Sequence, residues 1–331
     1  MQVLIVTNMF PDAARPYNGI FIAEQMDAIS RYHPDVHFDV CYIEGENKGK
    51  AEYLKSVFKV NRLIRRGHYD LVHIHFGPSG LYLLSPFSKR VPTIVTFHGS
   101  DIQPAGGNGP LTISLSRRVA HLADACITLN AQMDAMVRRH NPNTYIVPCG
   151  VCTQLFKPAT RPHHEGLAAQ GGRVRRIIFP CSRDMAVKNY PLFCQTLHLL
   201  RDTYGIRCEE QELAGLSRQQ VAALFNDADL LLMTSHSEGS PQAVKEAMAC
   251  DLPVVSPPVG DVPELLHHVR NSYVSHTHDA DELAALAMKA LSQASREGMA
   301  GSEKIRQMRL DEHSVADRIY TIYEKSKHTG H

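Results

Sequence analysis

The apolar positions of the chain come in short runs separated by amphipathic stretches. Val3–Val6, Phe38–Ile43, Leu71–Ile74, Thr93–Phe97, Ala125–Thr128 and Tyr145–Val147 read as strands. Helical spacing predicts helices over Ile20–Ile29, Ala51–Arg66 and near Leu81–Ser88, with another between the last two strands. Most of these strands are apolar at nearly every position, as a sheet covered on both faces requires. Their alternation with helices predicts a parallel, doubly wound α/β sheet. The rhythm breaks at residues 157–173, a polar stretch rich in Pro and Gly that reads as a linker. It resumes with a strand at Val174–Phe179, helices at Pro191–Tyr204 and Arg218–Asn226, and a strand at Leu230–Met233. A helix from Pro241, a strand at Pro253–Ser256, helices near Val262–His268 and Ala280–Ser295, and a final helix around Val315–Lys325 follow. The expectation is two successive Rossmann-like domains. Ligands of such folds bind outside the carboxyl ends of the strands, and two units in tandem can face each other across a cleft. The residues just after strands are therefore the candidates for chemistry.

Length and composition support this picture. A chain of 331 residues with 44% apolar and 21% charged residues is long enough for two cores without disulfide or metal staples. A formal net charge of +1 gives no basis for a nucleic-acid partner. The eight cysteines fall mostly in apolar stretches and read as reduced, buried thiols of a cytoplasmic protein. The chain opens on a strand, with no leader-like segment before it, and holds no apolar run of the ~20 residues that span a bilayer. Cys149-x-x-Cys152 has no second Cys/His pair at matching spacing. The nineteen histidines, among them His73, His75, His163 and His164, form no HExxH. No metal site is expected.

The richest segment follows the strand Leu230–Met233. Ser240 suits an N-cap and Pro241 the first helical position, which leaves the amides of Gln242, Ala243 and Val244 without intrahelical acceptors. Such a helix start favours phosphate. Gly239 permits close backbone approach. Glu238 in the loop and Glu246 in the helix are suited to accept hydrogen bonds from sugar or ribose hydroxyls. A plain strand-loop-helix with exposed glutamates is the competing reading.

Glu238 and Glu246 stand seven residues apart, within Glu-Gly-Ser-Pro…Lys-Glu-Ala-Met-Ala-Cys-Asp-Leu-Pro-Val-Val. This resembles the E-x7-E signature of the retaining glycosyltransferase family 4, whose fold is GT-B. The resemblance covers nearly the whole chain. It implies an acceptor-side domain over 1–155, a donor-binding domain over 156–312, and a terminal helix, 313–331, packing back on the first. It places Glu238 beside the donor sugar and Glu246 on the ribose, with sugar and diphosphate contacts from Gly239, Ser240, Pro241, Gln242 and Ala243. Arg183 and Lys188 resemble the family's basic pair that neutralises the diphosphate. Gly19 stands where family members carry a glycine-rich loop against it, although a second glycine is missing. Thr96-Phe-His-Gly-Ser-Asp101 resembles a His-Gly-x-Asp segment, which puts His98 near the donor sugar and makes Asp101 a sugar or acceptor candidate. Asn130, after a strand, is another. Gly106-Gly-Asn-Gly-Pro110 reads as an acceptor-side loop. Val147–Pro158 resembles the interdomain crossover, with cysteines in place of Asn and Asp. Residues 205–217 compress a region where the family has a strand, a glycine turn and a helix; Gly215 is expected near the base.

The implied function is retaining transfer of a hexosyl group from a nucleoside diphosphate sugar, a UDP-sugar favoured over a GDP-sugar, to a hydroxyl acceptor. The acceptor is expected to be lipid-linked or an oligosaccharide, in cell-surface polysaccharide or glycolipid synthesis, with no cofactor. Rival classes are a sugar-nucleotide epimerase of the same fold and a non-catalytic nucleotide-sugar sensor. Ala51–Arg66 carries Lys55, Lys59, Arg62, Arg65 and Arg66, so it is either a peripheral contact with an anionic membrane face or a sheet-packed helix with solvated cations.

Overall fold

The computed structural model describes residues 1–13, 15, 17–88, 91–104, 108–159, 173–292 and 298–329. Two compact units divide it: Met1–Gly150 with Glu312–His331, and Val151–Asp311. The sequence placed the boundaries at 155/156 and 312/313. Most of the expected linker, with His163 and His164, lies outside the described residues, as do Gly106 and Gly107.

The first unit runs β1 (Gln2–Thr7), α1 (Ile20–Tyr32), β2 (His37–Tyr42), α2 (Gly45–Lys48), α3 (Ala51–Arg66), β3 (Leu71–His75), a 3-10 run (Gly77–Leu84), β4 (Thr93–Thr96), α4 (Pro110–Leu122), β5 (Ala125–Thr128), α5 (Ala131–Val137) and β6 (Thr144–Ile146). All pairings are parallel, in the order β2-β1-β3-β4-β5-β6. Alternate residues of a strand point to opposite faces, and both faces are covered. Leu4, Val6, Val72 and Ile74 pack with Val60 and Ile64 of α3, Tyr82, and Val119 of α4. Val3, Ile5, Leu71 and Ile94 pack with Ile22 and Ile29 of α1.

The second unit runs β7 (Arg175–Phe179), a 3-10 turn (Ala186–Lys188), α6 (Tyr190–Asp202), β8 (Cys208–Glu212), α7 (Arg218–Asp227), β9 (Leu230–Leu232), α8 (Gln242–Ala249), β10 (Val254–Ser256), α9 (Val262–Leu266), β11 (Tyr273–Val274), α10 (Ala280–Ser292) and α11 (Gly301–Gln307). Its parallel sheet has the order β11-β10-β9-β7-β8. Ile178, Leu231 and Val254 pack with α7 and α8, and Ile177, Phe179, Leu230 and Val255 with α6 and α10. The chain then returns to the first unit as α12 (Glu312–Thr329), where Val315, Ile319 and Ile322 join the face that holds α1. Arg31–Glu312 at 3.2 Å and His33–Asp317 at 2.9 Å border this contact.

Four expectations change. The helix near Leu81–Ser88 is a 3-10 run that starts earlier, at Gly77. The turns α2 and α11, the helix α4 and the short strand β11 escaped the pattern. The region 205–217 is not compressed: β8, a turn at Gly215 and α7 are all present. Finally, α8 begins one residue later than expected, with Pro241 rather than Ser240 at the N-cap and no side-chain cap.

In both sheets the order reverses between the first and third strands in sequence. That reversal leaves a crevice at the carboxyl ends of β1 and β3 in one unit and of β7 and β9 in the other.

Candidate active site

In the second unit the chain leaving β7 forms the turn 182–189, and the chain leaving β9 forms the loop 233–241. The two are fastened together. Thr234 donates its hydroxyl to the carbonyls of Lys188 (3.0 Å) and Asn189 (3.1 Å), and the His236 amide donates to Val187 O at 2.8 Å. Asn189 sits in the left-handed region and starts α6. So held, Lys188 places its Nζ 2.6 Å from Glu238 Oε1, with both side chains mostly buried. A cation and a carboxylate thus meet at the switch point, two residues ahead of Ser240.

The loop after β10 closes on the same spot. Gly260 has φ +55°, and a Cβ there would lie 2.4 Å from Gly239 O. Only glycine allows this approach of the two loops. The next residue, Asp261, is buried beside α8. Burial pushes its carboxyl up to about 6, against the pull of Lys245 and a contact with Ser240. Lys245 is itself fully buried.

Glu246 is also buried, 2% exposed, on the first turns of α8. The guanidinium of Arg218, at the start of α7, grips it with both terminal nitrogens; one of the bonds measures 3.2 Å. Arg218 in turn lies over the Phe156 ring, 4.7 Å from its centroid. A bidentate pair occupies two of a carboxylate's roughly four acceptor positions, so Glu246 keeps capacity for a hydroxyl.

Arg183 is not aligned with Lys188 as the expected basic pair. Its guanidinium lies 2.6 Å from Glu210 and 3.2 Å from Glu212 of β8 and 5.1 Å from the Tyr190 ring centre. Gly215 stands in an exposed turn between β8 and α7. Gln242 and Ala243 open α8 and are half-buried.

In the first unit His98 follows β4, with its Nε2 3.1 Å from His75 Nδ1 at the end of β3. The Phe21 ring lies 5.0 Å away. Burial draws His98 down to about 4, so the ring is neutral at pH 7. Gly19 has φ +63° at the start of α1, and a Cβ there would lie 2.6 Å from the Met9 backbone. Its glycine is therefore required by the turn itself. Two weaker candidates take structural parts instead. Asp101 is buried, and its oxygens accept the amides of Gly77 (2.8 Å), His98 (2.9 Å) and Gly99 (3.1 Å), so the carboxylate builds the loop rather than offering itself to a ligand. Asn130 caps α5 by accepting the Met133 amide at 2.8 Å and is likewise consumed.

Sequence reasoning missed Arg218, Asp261, Lys245, Gly260 and His75. Only Gly260, in Pro-Pro-Val-Gly-Asp after a strand, carried a local signal. Among the described residues no group of three His, Cys, Asp or Glu could hold a metal ion, and no helix is long and apolar enough to cross a membrane.

Two parallel doubly wound units with polar residues gathered at strand carboxyl ends define a protein of the GT-B class. The chain covers 98% of itself and of a sucrose-phosphate synthase structure from Thermosynechococcus elongatus, at a TM-score of 0.73 and 15% identity. The match to Anabaena HepE in complex with UDP and glucose has a TM-score of 0.70 and 14% identity over 98% and 100%. Residues 2–155 match Glycosyltransferase Family 4, and residues 195–307 match Glycosyl transferases group 1. The chain belongs to this family. It is 28% identical over 270 residues to D-inositol 3-phosphate glycosyltransferase of Mycobacterium marinum, covering 70% of this chain and 58% of the relative. It is 22% identical over 264 residues to N-acetyl-alpha-D-glucosaminyl L-malate synthase of Bacillus anthracis, covering 70% and 68%. The matched stretch thus spans about three fifths to two thirds of these relatives' length.

Proposed function

We propose that the protein is a retaining glycosyltransferase that moves a hexosyl group from a nucleoside diphosphate sugar to a hydroxyl acceptor. The observation that carries this reading is the meeting of Lys188, Glu238 and the start of α8 at the switch point of the second unit. A departing nucleoside diphosphate gains negative charge. A fixed ammonium and the positive end of a helix dipole stabilise that charge without reorganising. Lys188 and the backbone from Gly239 to Ala243 take this part. Glu238 orients the sugar, and Glu246, gripped by Arg218, accepts the ribose hydroxyls. Arg183 acts on the diphosphate only after exchanging its contacts with Glu210 and Glu212. In the first unit His98 hydrogen-bonds the sugar, and Gly19 keeps the loop after β1 close to the phosphates.

A UDP-sugar is the favoured donor, in keeping with the UDP-glucose complex of HepE. The acceptor is a hydroxyl of a lipid-linked or oligosaccharide molecule. An anionic membrane face is its proposed location: Leu54 (65% exposed) and Phe58 (80%) stand on α3 beside Arg62, Arg65 and Arg66, with Phe87 (77%) close by. Apolar side chains flanked by cations suit the headgroup region of a bilayer.

The test is incubation of the purified chain with UDP-glucose, UDP-N-acetylglucosamine and GDP-mannose, with and without hydroxyl acceptors. Acceptor-dependent transfer with retained configuration supports the reading. Acceptor-independent release of nucleotide with an epimerised sugar would establish the epimerase instead. Binding without turnover of any of these, even with acceptors, would establish a sensor.

A further inference from the structure

Three histidines lie together, His73 in the middle of β3, His75 at its carboxyl end and His98 just after β4, and their hydrogen bonds are not interchangeable. His73 is fully buried and spends both ring nitrogens, Nδ1 on the Tyr323 hydroxyl and Nε2 on the Thr96 hydroxyl, each at 2.7 Å. His75 is 1% exposed and packs against His73, with ring centroids 4.2 Å apart. Its Nδ1 meets His98 Nε2 at 3.1 Å, while its Nε2 is buried without a hydrogen-bond partner. The His98 ring is only partly buried, and among the described residues its Nδ1 makes no hydrogen bond.

One proton is shared between His75 Nδ1 and His98 Nε2, and its location decides the rest. If His98 Nε2 carries it, neutral His75 must carry its own proton on Nε2, where an N–H donor would be buried with nothing to receive it. If His75 Nδ1 carries it, the buried His75 Nε2 is a bare lone pair. An orphaned buried N–H is the rarer and costlier outcome. His73 cannot relieve it, because both its nitrogens are engaged.

We propose that His75 is a positioning residue which donates Nδ1–H to His98 Nε2 and thereby fixes His98 as its Nδ1–H tautomer, a hydrogen-bond donor to an oxygen of the nucleotide-sugar's glycosyl group. Burial holds all three rings neutral, so this donor persists across neutral pH. A site that donates in this way accepts a hydroxylated sugar and discriminates against the analogue that lacks the oxygen. The proposal rests on the reading of His98 as a sugar contact.

Multiple-bond 1H–15N spectra of the histidine-labelled chain, assigned with the His98→Gln and His75→Leu variants, read the tautomers directly and need no substrate. The expected result is Nδ1–H on both His75 and His98. Nε2–H on His98 overturns the proposal. His75→Asn keeps an N–H close to the Nδ1 position and His75→Leu removes it. The Leu variant is expected to raise KM for the nucleotide sugar roughly fivefold to tenfold at little changed kcat, the size of one neutral hydrogen bond, and the Asn variant to restore most of it. Equal kinetics for the Leu variant and the parent refute the positioning role. Should His98→Ala leave KM and kcat untouched while the spectra show Nδ1–H, the sugar-contact reading fails and the tautomer assignment stands.

Discussion

Arg218→Leu is expected to destabilise the second unit severely, and the cause is the carboxylate it leaves behind. Glu246 is 2% exposed, and its side chain faces the Arg218 fork. Unit charges 3.2 Å apart attract by roughly 5 kcal/mol at an effective dielectric of about 20. Desolvating the two ions costs several kcal/mol each, so the intact pair contributes little net stability over an apolar pair of similar volume. Removing one partner is different, because the desolvation of the other then stands uncompensated at roughly 3–5 kcal/mol. For a unit of this size that is a fall in melting temperature of about 6–20 °C. Glu246→Leu leaves Arg218 less penalised, because its guanidinium retains the Phe156 face and some exposure. The Arg218→Leu/Glu246→Leu double variant recovers much of the loss. Urea unfolding of the four proteins yields the coupling energy, expected to exceed about 2 kcal/mol. A double variant whose cost equals the sum of the single costs would refute the argument. Arg218→Lys keeps the charge but not the fork and falls between. Nucleotide-sugar affinity, measured by calorimetry on Glu246→Gln, tests the ribose role separately.

Lys188→Ala is expected to lower kcat by roughly 10²-fold, the scale of losing one charge-stabilising group; an unchanged turnover rate removes Lys188 from leaving-group stabilisation. Gly260→Ala puts a Cβ 2.4 Å from Gly239 O at a positive φ, so the loop holding Glu238 must move. A thermal shift with UDP-glucose should shrink or vanish, and a full-sized shift contradicts the packing argument. His98 has a folded-state pKa of about 4 against 6.5 in the unfolded chain. The unfolded chain therefore binds more protons between about pH 6.5 and 4, and stability is lost as the pH falls through that window. His98→Asn should flatten the slope of unfolding free energy between pH 6 and 5 by up to about 1.4 kcal/mol per pH unit; equal slopes contradict it. Phe58→Asp combined with Arg62→Glu is expected to abolish flotation with phosphatidylglycerol vesicles, since each basic residue near such a surface contributes about 1 kcal/mol; undiminished flotation removes α3 from the membrane reading.

The parts legible in the sequence share a physical property: burial on both faces. β1, β3, β4 and β5 lie in the middle of their sheet and are buried at every position but Gln2, which leaves short apolar runs as their mark. β8 lies at a sheet edge and reads Cys-Glu-Glu-Gln-Glu, with only Cys208 buried. No hydrophobic pattern marks it, so the region looked shortened. The 3-10 run carries no local mark either, because its constraint comes from a distant element. A Cβ at Gly77 would lie 2.3 Å from Ser116 Oγ, and one at Gly80 2.5 Å from Val119. Those glycines let the run lie against α4, a contact that local spacing does not record.

The candidate site divides along the same line. Glu238, Glu246 and Lys188 stood out because they lie just after strands or inside a dense local motif. Their controlling partners did not, because each is brought in by the sheet order. Arg218 is 28 residues from Glu246, and Glu210 and Glu212 sit on the unmarked edge strand. This difference bears on mechanism. Lys188 and Arg183 look equivalent as two cations after one strand, yet Lys188 faces the carboxylate beside the helix start, while Arg183 is held by two carboxylates on the other side of the turn. An arginine so engaged must exchange those bonds before it can neutralise a diphosphate. Glu210→Gln together with Glu212→Gln should therefore free Arg183 and tighten nucleotide-sugar binding. Weakened binding in that variant would show instead that the two glutamates hold Arg183 in its working position.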